Sequence, residues 1–459
     1  MCNNNYNLTI NIVILGGGES GIGAAMLAKK VGYKNIFLSD NNRISNNNIL
    51  LLKYINVSYE MYNHSLDKIL SANLIIKSPG ISNDSYIIKL IKQKKIEIIS
   101  EIEFAYINKP NIKIIGVTGT NGKTTVATLI YKLLKAARYK VSLSGNIGSS
   151  FSRIICKQNN YYDYYIVEIS SFQLENIIKL KPFISVITNI SEDHMDRYKN
   201  IHEYLKAKLN ITKNQSKKDY CIYNNDNTFL CKYFETISNV QLLKFTLKNK
   251  KIYNGIYLKK NIIYSNIWNN EKKFDKNLLN VIGDHNIYNF MIVILVGNIL
   301  KVNFYHIEKL MSDFKGIKHR LEYCNSYNNI TFINDSKSTN LDCVFWAMKS
   351  IPSNIIWITG GIDKGNNYEN IKNIILKKVI FIICVGKNSN IYNYFSEYIT
   401  IISVINMSMA IKYSLSLSKP KYTVLLSPGC SSQNMYKSYK HRGNIFKKYL
   451  KKILYDERR

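Results

Sequence analysis

The stretch Ile114-Ile115-Gly116-Val117-Thr118-Gly119-Thr120-Asn121-Gly122-Lys123-Thr124-Thr125 constrains this chain more than any other. A short apolar run predicts a buried strand and a glycine-rich turn follows. After Lys123, apolar residues recur at helical spacing (Val126, Leu129, Ile130, Leu133). Strand, turn and helix in that order make an anion site. Glycines let backbone N–H groups close around a phosphate, and the helix N-terminus adds its partial positive charge. Gly119, Thr120, Asn121, Gly122 and Thr125 form the cradle. Lys123 is placed to reach the terminal phosphates of a nucleoside triphosphate and Thr124 to hold Mg²⁺. The strict eight-residue pattern is not met, because its first position falls on Val117. Gly-Lys-Thr-Thr directly after a strand is still hard to explain by packing alone.

At 459 residues the length prior is about three domains. Hydrophobic residues at 46% and charged residues at 20% describe a globular chain, and no apolar run reaches the length of a membrane span. The N-terminus lacks a basic region before an apolar core, so no secretory signal is expected. Eight cysteines are scattered without a Cys-x-x-Cys pair, which suggests reduced thiols in a cytosol rather than a disulfide framework. The net charge of +32 invites a nucleic-acid partner. The excess, however, is spread along a chain saturated with Lys, Asn, Ile and Tyr, all encoded by A/T-rich codons. Compositional bias therefore explains it better, and no nucleic acid is expected.

Taken in order, residues 10–15 predict a strand, and Gly16, Gly18 and Gly21 fit a G-x-G-x-x-G turn before a helix through Lys30. A second strand, Ile36–Ser39, ends at Asp40, where a ribose-binding acid would stand. That fingerprint suits NAD or any nucleotide diphosphate. Leu74–Ile76 runs into another turn, Lys77-Ser78-Pro79-Gly80, and a boundary is expected near Asn108-Lys109-Pro110. In the next module the strands Tyr164–Ile169 and Phe183–Ile190 deliver Glu168 and His194 at their ends, where a nucleotide-hydrolysing site needs metal ligands. Lys206 and Lys208, on a helical stretch over Ile201–Ile211, read as surface lysines. Residues 220–280 carry no legible chemistry, and an apolar helix is expected over Ile287–Leu300. From Gly316 a third α/β module follows. Its strands (Ile330–Ile333, Ile355–Thr359, Val379–Val385, Val424–Leu426) each end in polar or Gly-rich turns. The expected architecture is α/β in three segments, 1–108, 109–316 and 317–459: a Rossmann-like domain, a phosphate-loop ATPase domain and a second Rossmann-like domain.

Together, the runs Thr118–Thr125, Glu168-Ile-Ser-Ser-Phe-Gln-Leu-Glu175, Glu192-Asp-His-Met-Asp-Arg197, His285-Asn286, His319-Arg320, Asn334-Asp-Ser-Lys-Ser-Thr-Asn340 and Gly360-Gly361…Lys364 resemble the Mur ligases of peptidoglycan synthesis. The likeness spans essentially the whole chain. Ser-Ser-Phe-Gln-Leu-Glu and Asn-Asp-Ser-Lys-x-Thr-Asn resemble the branch that adds D-glutamate. Folate ligases share the phosphate loop but lack a module like residues 1–108. The resemblance implies that ATP phosphorylates the carboxylate of UDP-N-acetylmuramoyl-L-alanine. The D-glutamate amine then attacks the acyl phosphate. It further implies ATP and Mg²⁺ as cofactors, a cytoplasmic location and a monomer. By the same resemblance, Thr124 and Glu168 serve one magnesium, and His194 and Lys208, as a carbamate, serve a second. Asn286 and Asn289 match adenine contacts, and His319, Arg320 and Asp335 engage the nucleotide. Asn146, Ser170 and Gln173 lie around the muramoyl substrate. Gly18, Ser20, Asp40 and Ser78 belong to the uridine site. Lys337, Thr339, Lys364, Ser432 and Tyr439 surround the D-glutamate carboxylates. Three features depart from the family pattern: Glu19-Ser20 in the first turn, the final motif Ser427-Pro-Gly-Cys-Ser-Ser-Gln-Asn-Met-Tyr436, and Tyr439 at a position usually Phe.

Overall fold

The structure is a computed structural model and describes residues 7–157, 161–279, 281, 283–352, 354–363, 365–386, 389–432 and 435–457. It forms two compact units. The first comprises Met1–Ile190, Asn200–Lys276 and Tyr288–Leu310; the second comprises Ser191–Lys199, Asn277–Ile287 and Met311–Arg459.

The first unit opens with β1 (Asn11–Leu15), α1 (Glu19–Val31), β2 (Asn35–Asp40), α2 (Asn46–Tyr54), β3 (Ser58–Met61), α3 (Leu66–Leu70), β4 (Leu74–Lys77), α4 (Tyr86–Gln93), β5 (Glu97–Ser100) and α5 (Glu101–Ile107). Their strands form one parallel sheet in the order β3-β2-β1-β4-β5. Ile12 to Leu15 and Leu74 to Ile76 are buried, as unbroken apolar runs in a parallel sheet must be when helices cover both faces. The weaker strands β3 and β5 carry Glu60 and Glu97 and show no such run.

The chain continues through β6 (Ile114–Thr118), α6 (Lys123–Ala136), β7 (Val141–Gly145), α7 (Phe151–Cys156), β8 (Tyr164–Glu168), α8 (Ser171–Leu174), β9 (Ile184–Ile187) and α9 (Ile201–Leu209). Then come β10 (Tyr220–Asn224), α10 (Thr228–Phe234), β11 (Gln241–Thr246), β12 (Gly255–Lys259), β13 (Ile262–Ile267), β14 (Asn270–Asp275), α11 (Asp284–Ile299) and α12 (Phe304–Asp313). A nine-stranded sheet results, ordered β14-β13-β12-β11-β10-β9-β6-β8-β7. It is parallel from β7 to β12 and antiparallel at β12-β13-β14. The segment from β10 to β14 thus extends the sheet. β9 is shorter than expected: Thr188 and Asn189 turn their groups to the phosphate loop instead of continuing the strand.

Within this unit the first sheet is fastened to the second through carboxylates. Glu19 at the start of α1 accepts the Ser150 N–H at 3.0 Å and a two-pronged Arg153 pair at 2.8 and 3.0 Å. Glu103 accepts the N–H groups of Lys179 and Leu180, and Glu101 accepts that of Ser152. Glu175 takes Asn83 at 2.7 Å and lies 3.7 Å from the buried Lys77 ammonium.

The second unit contains β15 (Glu322–Tyr327), β16 (Ile330–Asn334), α13 (Leu341–Ser350), β17 (Ile355–Thr359), α14 (Glu369–Lys378), β18 (Val379–Val385), α15 (Ser389–Phe395), β19 (Ile401–Val404), α16 (Met407–Leu417), β20 (Thr423–Leu426) and α17 (Tyr439–Asp456). The sheet order is β15-β16-β20-β17-β18-β19, antiparallel only at β15. One core, around Trp357, Val344 and Ile382, fills one face; the other, around Phe332, Ile358 and Phe446, fills the opposite face. Trp357 is fully buried, and its indole N–H donates to the Ser427 carbonyl at 2.7 Å. The strand-end loop after β20 is therefore anchored through the core. Among the described residues no helix is long and apolar enough to cross a membrane.

Candidate active site

The phosphate loop leaves β6 at the centre of the large sheet. Gly119 (φ +136°) and Gly122 (φ +85°) adopt backbone conformations that favour glycine, and Gly122 caps the N-terminus of α6. A Cβ on Gly119 would stand 2.0 Å from the Thr188 hydroxyl, so the approach of β9 also requires glycine there. Asn189 zips the loop down. Its carbonyl accepts the Thr120 N–H, and its side chain exchanges hydrogen bonds with the N–H and carbonyl of Asn121. Thr188 adds a 2.5 Å bond to the Asn121 carbonyl. Neither Thr188 nor Asn189 was assigned a role from sequence; the signal is their place at the end of the strand beside β6. Lys123 folds back to the carbonyls of Gly119 and Thr120, at 2.8 Å each.

Glu168 ends β8, and its neighbour across the ladder is Val117, so the carboxylate stands beside the start of the loop. It is buried. Oε1 accepts the Asn146 amide at 3.1 Å, and Oε2 has no hydrogen-bond partner among the described residues. Asn146, assigned to the muramoyl substrate, thus also fixes this acid. Lys208 is not a surface lysine. It is 1% exposed, and its ammonium donates to the Gly119 carbonyl at 2.9 Å over the Tyr204 ring. Thr124 and Thr125 lie in the first turn of α6, and Asn289 on α11 places its Oδ1 against Gly122. Ser170 and Gln173 form a reciprocal capping box at α8, so each has a structural partner already.

In the second unit His194, at φ +60°, bonds its backbone N–H to Asp193 and lines a cavity of about 320 Å³ with Glu192, Thr339, Asn340 and Asp342. The unit also holds Asn286 and Arg320. The Arg320 Nε is buried without a partner among the described residues, and burial beside that cation pulls His285 down to about 4. Asp335 is fully enclosed. It accepts bonds from the Ser338 and Ser427 hydroxyls and the Leu321 N–H, and burial pushes its pKa up to about 6 despite Arg320. His319 is likewise buried, bonded to Asn334 at 3.0 Å, with its pKa lowered by burial and Lys447. Lys337 lies 5.2 Å over the Tyr439 ring, and Ser432 is buried in the loop after β20. Lys364 lies outside the described residues.

Residues 11–87 match the MurD N-terminal domain and residues 117–297 the Mur ligase middle domain. The chain is 39% identical over 446 residues to the UDP-N-acetylmuramoylalanine–D-glutamate ligase of Christiangramia forsetii, covering 96% of this chain and 99% of that one. It belongs to the MurD family of Mur ligases. A second relative with the same name, from Bacteroides thetaiotaomicron, is 37% identical over 454 residues, covering 96% and 99%. The fold is similar to that of the MurF ligase of Thermotoga maritima in complex with ADP, with a TM-score of 0.57 at 14% identity, covering 98% and 97%. Mur ligases are ATP-dependent, amide-forming enzymes of peptidoglycan precursor synthesis, and this chain is one of them.

In this MurD-family chain the first turn behaves as its glycines demand. A Cβ on Gly21 would stand 1.8 Å from the Gly16 carbonyl. Gly18 is exposed at the N-terminus of α1, with Ser20 in the first turn. Glu19 is turned to Arg153 and Ser150, so its departure from the family pattern fastens α1 to α7. Asp40 braces the turn, accepting the Gly17 N–H at 2.6 Å and the Asn42 N–H at 2.8 Å. The Ser78 hydroxyl is buried without a partner among the described residues.

Proposed function

We propose that this ligase joins D-glutamate to UDP-N-acetylmuramoyl-L-alanine through an acyl phosphate. The observation that carries the reading is the convergence on one phosphate loop of a buried acid, Glu168, and a buried lysine, Lys208. A packed core gains nothing from either, whereas phosphate transfer to a carboxylate needs clustered anions neutralised. Loop amides and Lys123 bind the ATP phosphates, with Asn289 at the closed end of the loop. Among the described residues no three His, Cys, Asp or Glu converge as a ready-made metal site. The residues nevertheless fit a hard cation, because Glu168 keeps one buried oxygen without a protein donor. Glu168 and Thr124 would hold Mg²⁺, with Lys208 as a carbamate offering a further oxygen, and the ion would neutralise phosphate charge. In the second unit Lys337, Thr339, Ser432 and Tyr439 take the D-glutamate carboxylates, and Arg320 serves the nucleotide. Asp335 and His319 support these groups from within the fold.

This reading carries a division into 1–108, 109–316 and 317–459, supported by each sheet falling within one segment. It also carries a monomer working in the cytoplasm. The test is ADP release with UDP-N-acetylmuramoyl-L-alanine, offering D-glutamate, L-glutamate, glycine and diaminopimelate in turn. Turnover is expected with D-glutamate alone. Preference for another acceptor, or no ATP-dependent turnover, overturns the assignment.

A further inference from the structure

Arg442 is among the largest fully buried side chains, at 1% exposure, and none of the roles above uses it. It sits in the first turn of α17, three residues after Tyr439. Among the described residues its guanidinium makes four hydrogen bonds, all to neutral oxygens. Nε donates to the Ser336 hydroxyl at 3.0 Å and Nη2 to the Ser336 carbonyl at 2.9 Å. Nη1 donates to the carbonyls of Cys430 at 3.1 Å and Gly360 at 3.3 Å. Those acceptors belong to the loops that leave β16, β20 and β17, three neighbouring strands. Two of those loops carry Lys337 and Thr339, and Ser432. Ser336 closes the network by donating its hydroxyl to the Tyr439 carbonyl at 2.9 Å.

Stability alone accounts poorly for this arrangement. A buried cation loses its hydration and is held by neutral acceptors at a cost in solvation. Burial pulls the guanidinium down to about 10, against the raising effects of Cys430, Tyr436 and Asp335, so it stays charged at neutral pH. What the cation supplies is geometry. A planar fork holds its donors in fixed directions toward three loops, which a freely rotating lysine ammonium does not. The backbone beside it is also close-fitted: a Cβ on Gly443 would stand 2.2 Å from His319 Nδ1.

We propose that Arg442 is a positioning residue that sets the spacing of the three strand-end loops around the amino-acid substrate. It therefore governs the Michaelis constant for that substrate and not those for ATP or the uridine substrate. The proposal rests on the ligase reading above. The test varies each substrate separately for the wild type, Arg442→Lys and Ser336→Ala, with thermal unfolding recorded for all three. Arg442→Lys is expected to raise the D-glutamate KM by about 10-fold or more, while the other two stay within about two-fold, since small misplacements of binding groups cost on that scale. Ser336→Ala, which removes the Nε acceptor, is expected to raise the D-glutamate KM alone by about three-fold. A folded Arg442→Lys variant with an unchanged D-glutamate KM, or with all three constants raised alike, overturns the proposal. Should that variant fail to fold, Ser336→Ala decides, and an unchanged D-glutamate KM there overturns it. Absence of D-glutamate-dependent turnover in the wild type overturns the ligase reading and this inference with it. Normal wild-type turnover with unaffected variants overturns the inference alone.

Discussion

Glu101 opens α5 at the join between the first two sheets, and its protonation makes a measurable prediction. One carboxyl oxygen accepts the Ser152 N–H at 2.5 Å; the other is buried with no partner among the described residues. Burial pushes the group up to about 7, the nearby Glu19 charge adds to the rise, and the Ser152 bonds oppose it. The distance from the ordinary 4.5 corresponds to about 3 kcal/mol. Below pH 4.5 the carboxyl is protonated in both folded and unfolded chains, and nothing is lost. Between 4.5 and about 7 the unfolded chain ionises first, so stability falls as pH rises, and above 7 the whole amount is missing. Glu101→Gln removes that loss. The new amide leaves a pH-independent offset of about 1 kcal/mol from an imperfectly paired donor, which does not change the slope. Denaturant unfolding of both proteins from pH 5 to 8.5 is the assay, and the quantity to read is the difference between the two profiles. His285, held near 4 by burial and Arg320, acts in the opposite sense, losing stability as pH falls from 6.5 to 4. The wild-type curve alone therefore blends these with Asp335, raised to about 6, whereas the difference isolates Glu101 together with its interaction with Glu19. The variant should gain about 2–3 kcal/mol on the wild type across that range. Parallel profiles would refute the reasoning.

Lys123→Ala should abolish ATP-dependent amide formation while leaving the unfolding midpoint near that of the wild type; retained turnover would end the phosphate-loop assignment. Lys208→Ala should lose activity and regain part of it with added short carboxylic acids, if a carbamate normally supplies the oxygen. Activity indifferent to the substitution sinks that role. Gly23→Ala places a Cβ 2.0 Å from the Ser150 hydroxyl, so α1 and α7 must separate. The expected cost is about 1–3 kcal/mol by denaturation, and an unchanged midpoint would show that the helices are not close-fitted.

The strands that carry the site were readable because a parallel sheet buried on both faces leaves unbroken apolar runs, each punctuated by the turn that does the chemistry. β17 and β18 fall at the limits the sequence suggests, Ile355–Thr359 and Val379–Val385. β3, β5 and the antiparallel β12-β13-β14 end were not legible, because polar, half-covered strands show no such run. Tertiary partners were the larger gap. Nothing local says that Glu19 will turn to Arg153, that Asp40 will take two backbone N–H groups, or that Arg442 will join three loops.

Lys208 is different, because its burial was written in the helix. Along α9 the buried residues are Tyr204, Ala207, Lys208 and Leu209, while Lys206 is exposed. Tyr204 and Lys208 stand four apart, on one face, and Ile211 continues it beyond the helix. A lysine on the apolar stripe of a short helix must either snorkel to water or meet a buried acceptor. Here the stripe packs beneath the phosphate loop, so the side chain ends on the Gly119 carbonyl. Two lysines separated by one residue thus differ by helical phase alone. That phase, and not the residue type, separates a solvated charge from one held at the phosphate site.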